Sequence, residues 1–225
     1  MAPKKESILT PGQTRVLGII AKEKYFTERY YLTGGTALAE FYLKHRFSED
    51  LDFFSEDKEI NPIPIARFLK HKMKTLKLQK FDMRRVWGIY SYFLHFENKE
   101  ILKIDFSYYP FLRIKKGIKF ESLEINGIFD IAVDKVHTVI SQPRARDFID
   151  IYFIIKKEHY DFKELLMKAK AKFDWHITAI ELGTRLFEAS KLSDYPRMLK
   201  KINHQEWKDF FTKESQKLKS EIFTP

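Results

Sequence analysis

Residues 33–54 read TGGTALAEFYLKHRFSEDLDFF, and this stretch decides the fold. The chain has only 8 glycines, yet two stand together at Gly34 and Gly35. A helical pattern follows through Ala37, Leu38, Phe41 and Tyr42, and two aspartates then interrupt an apolar strand. Paired glycines mark a turn into which another group can come close. Tyr30 to Leu32 reads as a short strand before that turn, and Leu51 to Phe54 as the next one. Strand alternation sets Asp50 and Asp52 on one face and Leu51 and Phe53 on the other. Two carboxylates side by side repel unless a cation lies between them.

The arrangement recurs in LKIDF, residues 102–106, where Lys103 and Asp105 point one way and Ile104 and Phe106 the other. If the two strands are neighbours, Asp50, Asp52 and Asp105 converge. That oxygen-donor set suits a hard divalent cation, Mg²⁺ or Mn²⁺, as used in in-line phosphoryl displacement. The order strand, Gly-Gly, helix also presents backbone N–H groups to an anion. Taken singly, an aspartate in a strand is an ordinary solvated residue and a glycine pair a plain turn. Their order is what carries the reading. Neither G-x-x-x-x-G-K-[ST] nor G-x-G-x-x-G occurs, and no histidines stand in H-x-x-H or H-x-x-x-H spacing.

With 225 residues, the chain suits one large domain or a core with a helical appendage. Its 41 Lys and Arg against 31 Asp and Glu give a net charge of +10, which favours a polyanionic partner, nucleic acid first. Zero cysteines exclude disulfides, thiol nucleophiles and cysteine-held zinc, and point to the cytoplasm. The opening MAPKKESILTPGQ lacks the apolar stretch of a secretory signal. No run reaches the ~18 apolar residues of a membrane span.

Elsewhere, Thr10 with Pro11 starts a helix. A basic amphipathic helix runs from Pro62 to about Leu78, with Lys70, Lys72, Lys74 and Lys77 on its polar side. Residues 81–109, rich in aromatic and β-branched side chains, read as strands either side of Gly88 and of Asn98. Asn126-Gly127 is a further hairpin signal, followed by a helix with Asp130 at its N-cap. Gln142-Pro143 breaks that helix, and the rest is helical. Two regions result: residues 1–158 as a core, and residues 159–225 as a C-terminal helical region.

GGTALAEFYLKHRFSEDLDFF resembles the first motif of the AbiEii/AbiGii-type nucleotidyltransferases, a GG-T turn, a helix and R-x-S-x-D-x-D, here Arg46, Ser48, Asp50 and Asp52. KIDF resembles the second motif, with Asp105. DIAVDKVHTVISQPRARDFIDIYFI resembles the third and fourth, with Lys135 and the pair Arg146-Asp147, Asp150 following. Gln142 stands where relatives commonly carry arginine, and Arg144 lies nearby. The resemblance implies an α+β fold, a polymerase-β-like nucleotidyltransferase core with a mixed sheet flanked by helices. It also implies transfer of NMP from NTP to an acceptor, often the tRNA 3′ end, and the toxin role of a pair with a protein antitoxin. In that scheme Asp50, Asp52 and Asp105 hold the metal, with Asp105 as a possible proton acceptor. Gly34, Gly35, Thr36, Arg46, Ser48, Lys135 and Arg146 meet the nucleotide, and Lys135 and Asp147 complete the catalytic set. Two other outcomes stay open: NMP transfer to a protein side chain, and a catalytically silent nucleic-acid-binding module. The latter would use the basic helix at 62–80 with Tyr90, Tyr92, Tyr108 and Tyr109.

Overall fold

The computed structural model describes residues 7–56 and 59–218. Residues 1–6, on which part of the reading against a secretory signal rests, lie outside them. The chain divides into two compact units, Met1–Gly127 and Ile128–Pro225. These units do not coincide with the motif span, because the third and fourth motifs fall in the second of them.

The first unit begins with helices α1 (Pro11–Ile20) and α2 (Lys24–Thr27) and strand β1 (Tyr31–Thr33). Helix α3 (Gly34–Ala37) then runs into a π-helical turn at Leu38–Leu43. Strand β2 (Leu51–Ser55) and helix α4 (Pro62–Leu76) follow, then β3 (Leu78–Val86), β4 (Ile89–Phe96), β5 (Ile101–Tyr108), β6 (Ile118–Phe120) and β7 (Leu123–Ile125). The strands form one seven-stranded sheet in the order β3-β4-β5-β2-β1-β7-β6. The β2–β5 and β1–β7 pairs are parallel and the others antiparallel, so the sheet is mixed as expected.

Alternation gives the sheet two chemically distinct faces. Leu51, Phe53, Tyr92, Leu94, Ile104 and Phe106 are buried on one of them. Phe53 stacks on Phe106 at 5.2 Å, and Phe26 bridges Phe106 at 5.7 Å and Phe68 of α4 at 4.7 Å. Helix α4 therefore packs on this aromatic face, to which the Tyr92 hydroxyl also ties it by donating to the Pro62 carbonyl at 3.0 Å. The helix ends at Leu76 because Lys77 turns left-handed, with φ 59°, and β3 starts at once. Lys77 and Lys80 are thus not on the helix, and Lys72 is paired with Glu23 at 3.0 Å.

Asn126-Gly127 does not turn a hairpin. The β6–β7 turn falls at residues 121–122, and Asn126 is instead buried after β7, its side-chain amide donating to Thr33 Oγ1 at 2.9 Å.

The second unit is helical: α5 (Ile128–Ser141), α6 (Ala145–Glu158), α7 (Phe162–Lys172), α8 (Ala179–Glu188) and α9 (His204–Lys217). Phe148, Phe162, Trp207 and Phe211 fill its core, with Phe148 edge-on to Phe211 at 4.8 Å. Asp161, Thr178 and Asn203 cap α7, α8 and α9. Asp130 is not an N-cap: α5 starts two residues earlier, and the buried Asp130 carboxylate accepts from Lys172 at 3.2 Å. No helix among the described residues is long and apolar enough to cross a membrane.

Candidate active site

In the first unit two of the three expected acids, Asp52 and Asp105, are brought opposite each other, while Asp50 stands just before β2. In the parallel β2–β5 pair, Asp52 lies opposite Asp105, and Leu51 opposite Ile104. Across the antiparallel β1–β2 pair, Thr33 lies opposite Asp52. The three residues therefore share one row on the sheet face turned away from Phe53 and Phe106.

The glycine pair is packed directly against this row. A Cβ on Gly34 would collide with Asp52 Oδ2, and the residue's φ of +74° disfavours any side chain there. A Cβ on Gly35 would sit 2.7 Å from both Arg46 Nη2 and Ser48 Oγ. A methyl at either position would displace a carboxylate, a guanidinium or a hydroxyl, and at Gly34 the left-handed backbone adds strain. Gly34, Gly35, Arg46, Ser48 and Asp52 are thus brought together. Thr36 is nearby but committed, since its buried hydroxyl donates to the Asp50 carbonyl and pins the entry to β2.

Lys103 lies among the acids. Its ammonium donates to Asp105 Oδ2 at 2.6 Å and is 3.7 Å from Asp50 Oδ2. Partial burial alone would lower the Lys103 pKa, but the hydrogen bond to Asp105 and the charges of Asp105, Asp50 and Asp52 outweigh it and hold the pKa above its ordinary value. The other oxygen, Asp105 Oδ1, is buried with no hydrogen-bond partner. Among the described residues no three His, Cys, Asp or Glu side chains enclose a metal-sized point. The donor set nevertheless fits a hard cation. Asp105 and Asp50 face one ammonium, the charge of Asp52 acts on it as well, and a buried carboxylate oxygen lacks a donor.

Two residues that support this site carry no motif. The buried Gln13 amide donates to the Ser48 and Glu49 carbonyls at 2.8 and 3.0 Å, fixing the segment that leads into Asp50. Asn126 holds Thr33 and accepts from the Tyr42 hydroxyl at its carbonyl, 2.9 Å away. Thr10-x-x-Gln13 is readable as a capping box, which α1 does form, but the reach of Gln13 to residues 48 and 49 depends on tertiary packing. A cavity of about 460 Å³ lined by Tyr25, Arg29, Tyr30 and Ser55 contains none of the acids. Ser55 shares a strand face with Leu51 and Phe53, so this cavity lies on the side of β2 opposite to Asp52.

In the second unit, Lys135 of α5 is buried between two carboxylates of α6, 2.7 Å from Asp147 Oδ1 and 2.7 Å from Asp150 Oδ2. The i, i+3 spacing puts both acids on one helix face. Arg144 grips the other Asp147 oxygen through Nε and Nη2, both at 3.0 Å. Burial would raise the Asp147 pKa, but Lys135 and Arg144 outweigh it and hold that carboxyl below its usual value. Arg146 is exposed. Arg144, not Arg146, is therefore the guanidinium joined to the acid cluster.

A mixed sheet carrying a glycine turn against a row of acids suits a nucleotidyltransferase, and that is the class its family match gives. Two Helicobacter pylori crystal structures share the fold at 21% identity and TM-score 0.58: JHP933, with 95% of this chain and 94% of that one covered, and a proposed nucleotidyltransferase, with 95% and 97% covered. The "Uncharacterized protein aq_aa25" of Aquifex aeolicus (strain VF5) is 31% identical over 154 residues, 64% of this chain and 66% of that protein, so the match spans just under two thirds of its length. The model of the family described as "Nucleotidyl transferase AbiEii toxin, Type IV TA system" matches residues 15–86 and 127–219, and the chain belongs to that family.

Proposed function

We propose that this chain moves NMP from an NTP to an RNA acceptor, with the tRNA 3′ end as the favoured case, in the cytoplasm and as the toxin partner of a protein antitoxin. One observation carries the chemistry: Asp52 and Asp105 lie side by side in register, with the Gly34-Gly35 turn closed onto Asp52. Asp50, Asp52 and Asp105 would hold Mg²⁺ or Mn²⁺. When bound, the cation supplies charge neutralisation at the phosphates and acidifies the attacking hydroxyl.

The remaining steps belong to the chain. Gly34 and Gly35 leave room for Asp52, Arg46 and Ser48 to close on the turn, and Ser48 and Arg46 with the turn would meet the triphosphate as hydrogen-bond and charge donors. Asp105, in register beside Asp52, would complete the metal site or take the proton of the acceptor hydroxyl. The acceptor oxygen bonds to the α-phosphorus, the bond to the β-phosphate oxygen breaks, and pyrophosphate leaves. Thr36 supports this arrangement by holding Asp50. For Lys135, Arg146 and Asp147 we retain the nucleotide and catalytic roles that the resemblance implies, and with them a functional core of residues 1–158 followed by a helical region of residues 159–225. Within its own unit, Lys135 also has the structural task of joining α5 to α6.

Incubation with each α-labelled NTP and total cellular RNA, followed by separation of RNA from protein, tests the proposal. Label in RNA with one preferred NTP is expected. Label confined to protein would replace RNA by a side-chain acceptor, and no label with any NTP would overturn the reading.

A further inference from the structure

The acid face of the sheet continues beyond Asp105. Asp105 pairs with Ser91 on β4, and Ser91 with Arg84 on β3, so Thr33, Asp52, Asp105, Ser91 and Arg84 form one row across five strands. The neighbouring row on the same face carries Ser107, Ile89 and Val86. With strands ~4.8 Å apart, Arg84 stands only about 10 Å from Asp105 along this row. Arg84 lies over the Phe93 ring at 5.2 Å, and neither Arg84 nor Arg85 is ion-paired among the described residues. The nearby Asp82 is already engaged with Lys80 at 3.2 Å and His95 at 2.9 Å.

The tip of this hairpin is unusual. Trp87 and Gly88 make a two-residue connection with φ of 50° and 81°, a type I′ geometry that ordinarily selects Asn-Gly. A bulky side chain is disfavoured in that conformation, and packing does not offset it, because Trp87 is 98% exposed. A ring that burial does not explain, at the tip of the hairpin whose Arg84, three residues back, carries a guanidinium without an ion pair on the face of the acids, has the composition of a single-strand platform. Bases stack on the ring and phosphates meet the arginine.

We infer that the β3–β4 hairpin holds the single-stranded 3′ end of the acceptor RNA beside the acid row, with Arg84 on a phosphate and Trp87 stacked on a base. This rests on the reading of the acid row as a transferase site. The net charge of +10 agrees with a polyanion. The basic helix α4 is the weaker candidate because it packs on the opposite, aromatic face of the sheet.

Trp87→Asn restores the residue the turn prefers while deleting the ring, and Arg84→Gln removes one charge from an exposed strand, so both variants should fold. Each is titrated with a labelled single-stranded oligoribonucleotide by anisotropy, and the wild type is also followed by tryptophan emission. Quenching in the wild type and affinity weaker by roughly tenfold in each variant are expected. The log–log salt slope should fall by about 0.7 in Arg84→Gln and stay unchanged in Trp87→Asn. Wild-type affinity and slope in both variants, or no binding by the wild type, would overturn the platform. Hairpin-dependent binding without any NMP transfer would support it and count against the transferase reading alone.

Discussion

Gly34 and Gly35 have no side chain because Asp52, Arg46 and Ser48 fill the space. Gly34→Ala should destabilise the first unit by at least ~1–2 kcal/mol, the cost of a left-handed non-glycine residue, with further loss from the clash at Asp52. Urea titration checks this: a loss of only ~1–2 kcal/mol would show that the carboxylate swings away freely, and wild-type stability would contradict the left-handed backbone at Gly34 as well. Lys103 is the resident cation of the acid row. Lys103→Met should lower Tm in EDTA, since three carboxylates then repel, and should enlarge the upward Tm shift given by Mn²⁺. Identical shifts in variant and wild type would remove Lys103 from competition with metal. The acids were legible in the sequence because a period of two fixes which residues share a strand face. The neighbours that serve them were not. Lys103 aligns with Asp105 in any strand, but its approach to Asp50 requires the β2–β5 register, and Gln13 reaches carbonyls 35 and 36 positions away.

At the scale of elements, α5 and α6 are joined through Lys135. Removing the ammonium leaves Asp147 and Asp150 buried beside each other, so Lys135→Ala should cost about 3–5 kcal/mol of stability. Denaturant unfolding measures it, and a loss under 1 kcal/mol, roughly the value of an exposed pair, would contradict the burial. Asp147 adds a pH dependence. Its folded pKa lies below the unfolded value of ~3.9, so its contribution is present above that pH and is lost as pH falls through the folded pKa. Asp147→Asn should therefore flatten the stability profile below about pH 4, whereas an unchanged acid limb would assign that loss to other carboxylates. Helix starts were readable where the cap is local, as at Thr10. Asn126-Gly127 and Asp130 were misread because each looks like a local signal but is used over distance, Asn126 for Thr33 and Asp130 for Lys172.

Over the molecule as a whole, the sum of charges was legible and its placement was not. The lysines of α4 follow the Asp50–Asp52 segment closely in sequence, yet the helix packs on the opposite face of the sheet, while Arg84, distant in sequence, extends the acid row. Sheet order, which places β5 beside β2 and β4 beyond it, decides this, and no pattern within a single strand encodes it. The fold class was accessible from motif order because the residues from the glycine turn through β2 are continuous in the chain. The central claim is that the row of acids performs metal-dependent NMP transfer, and the most direct measurement is transfer of α-labelled NMP to RNA by Asp52→Asn and Asp105→Asn. These near-isosteric changes keep the packing against Gly34 and the strand register, so Tm should stay close to wild type while transfer falls to background. Transfer at the wild-type rate in either folded variant would contradict the account.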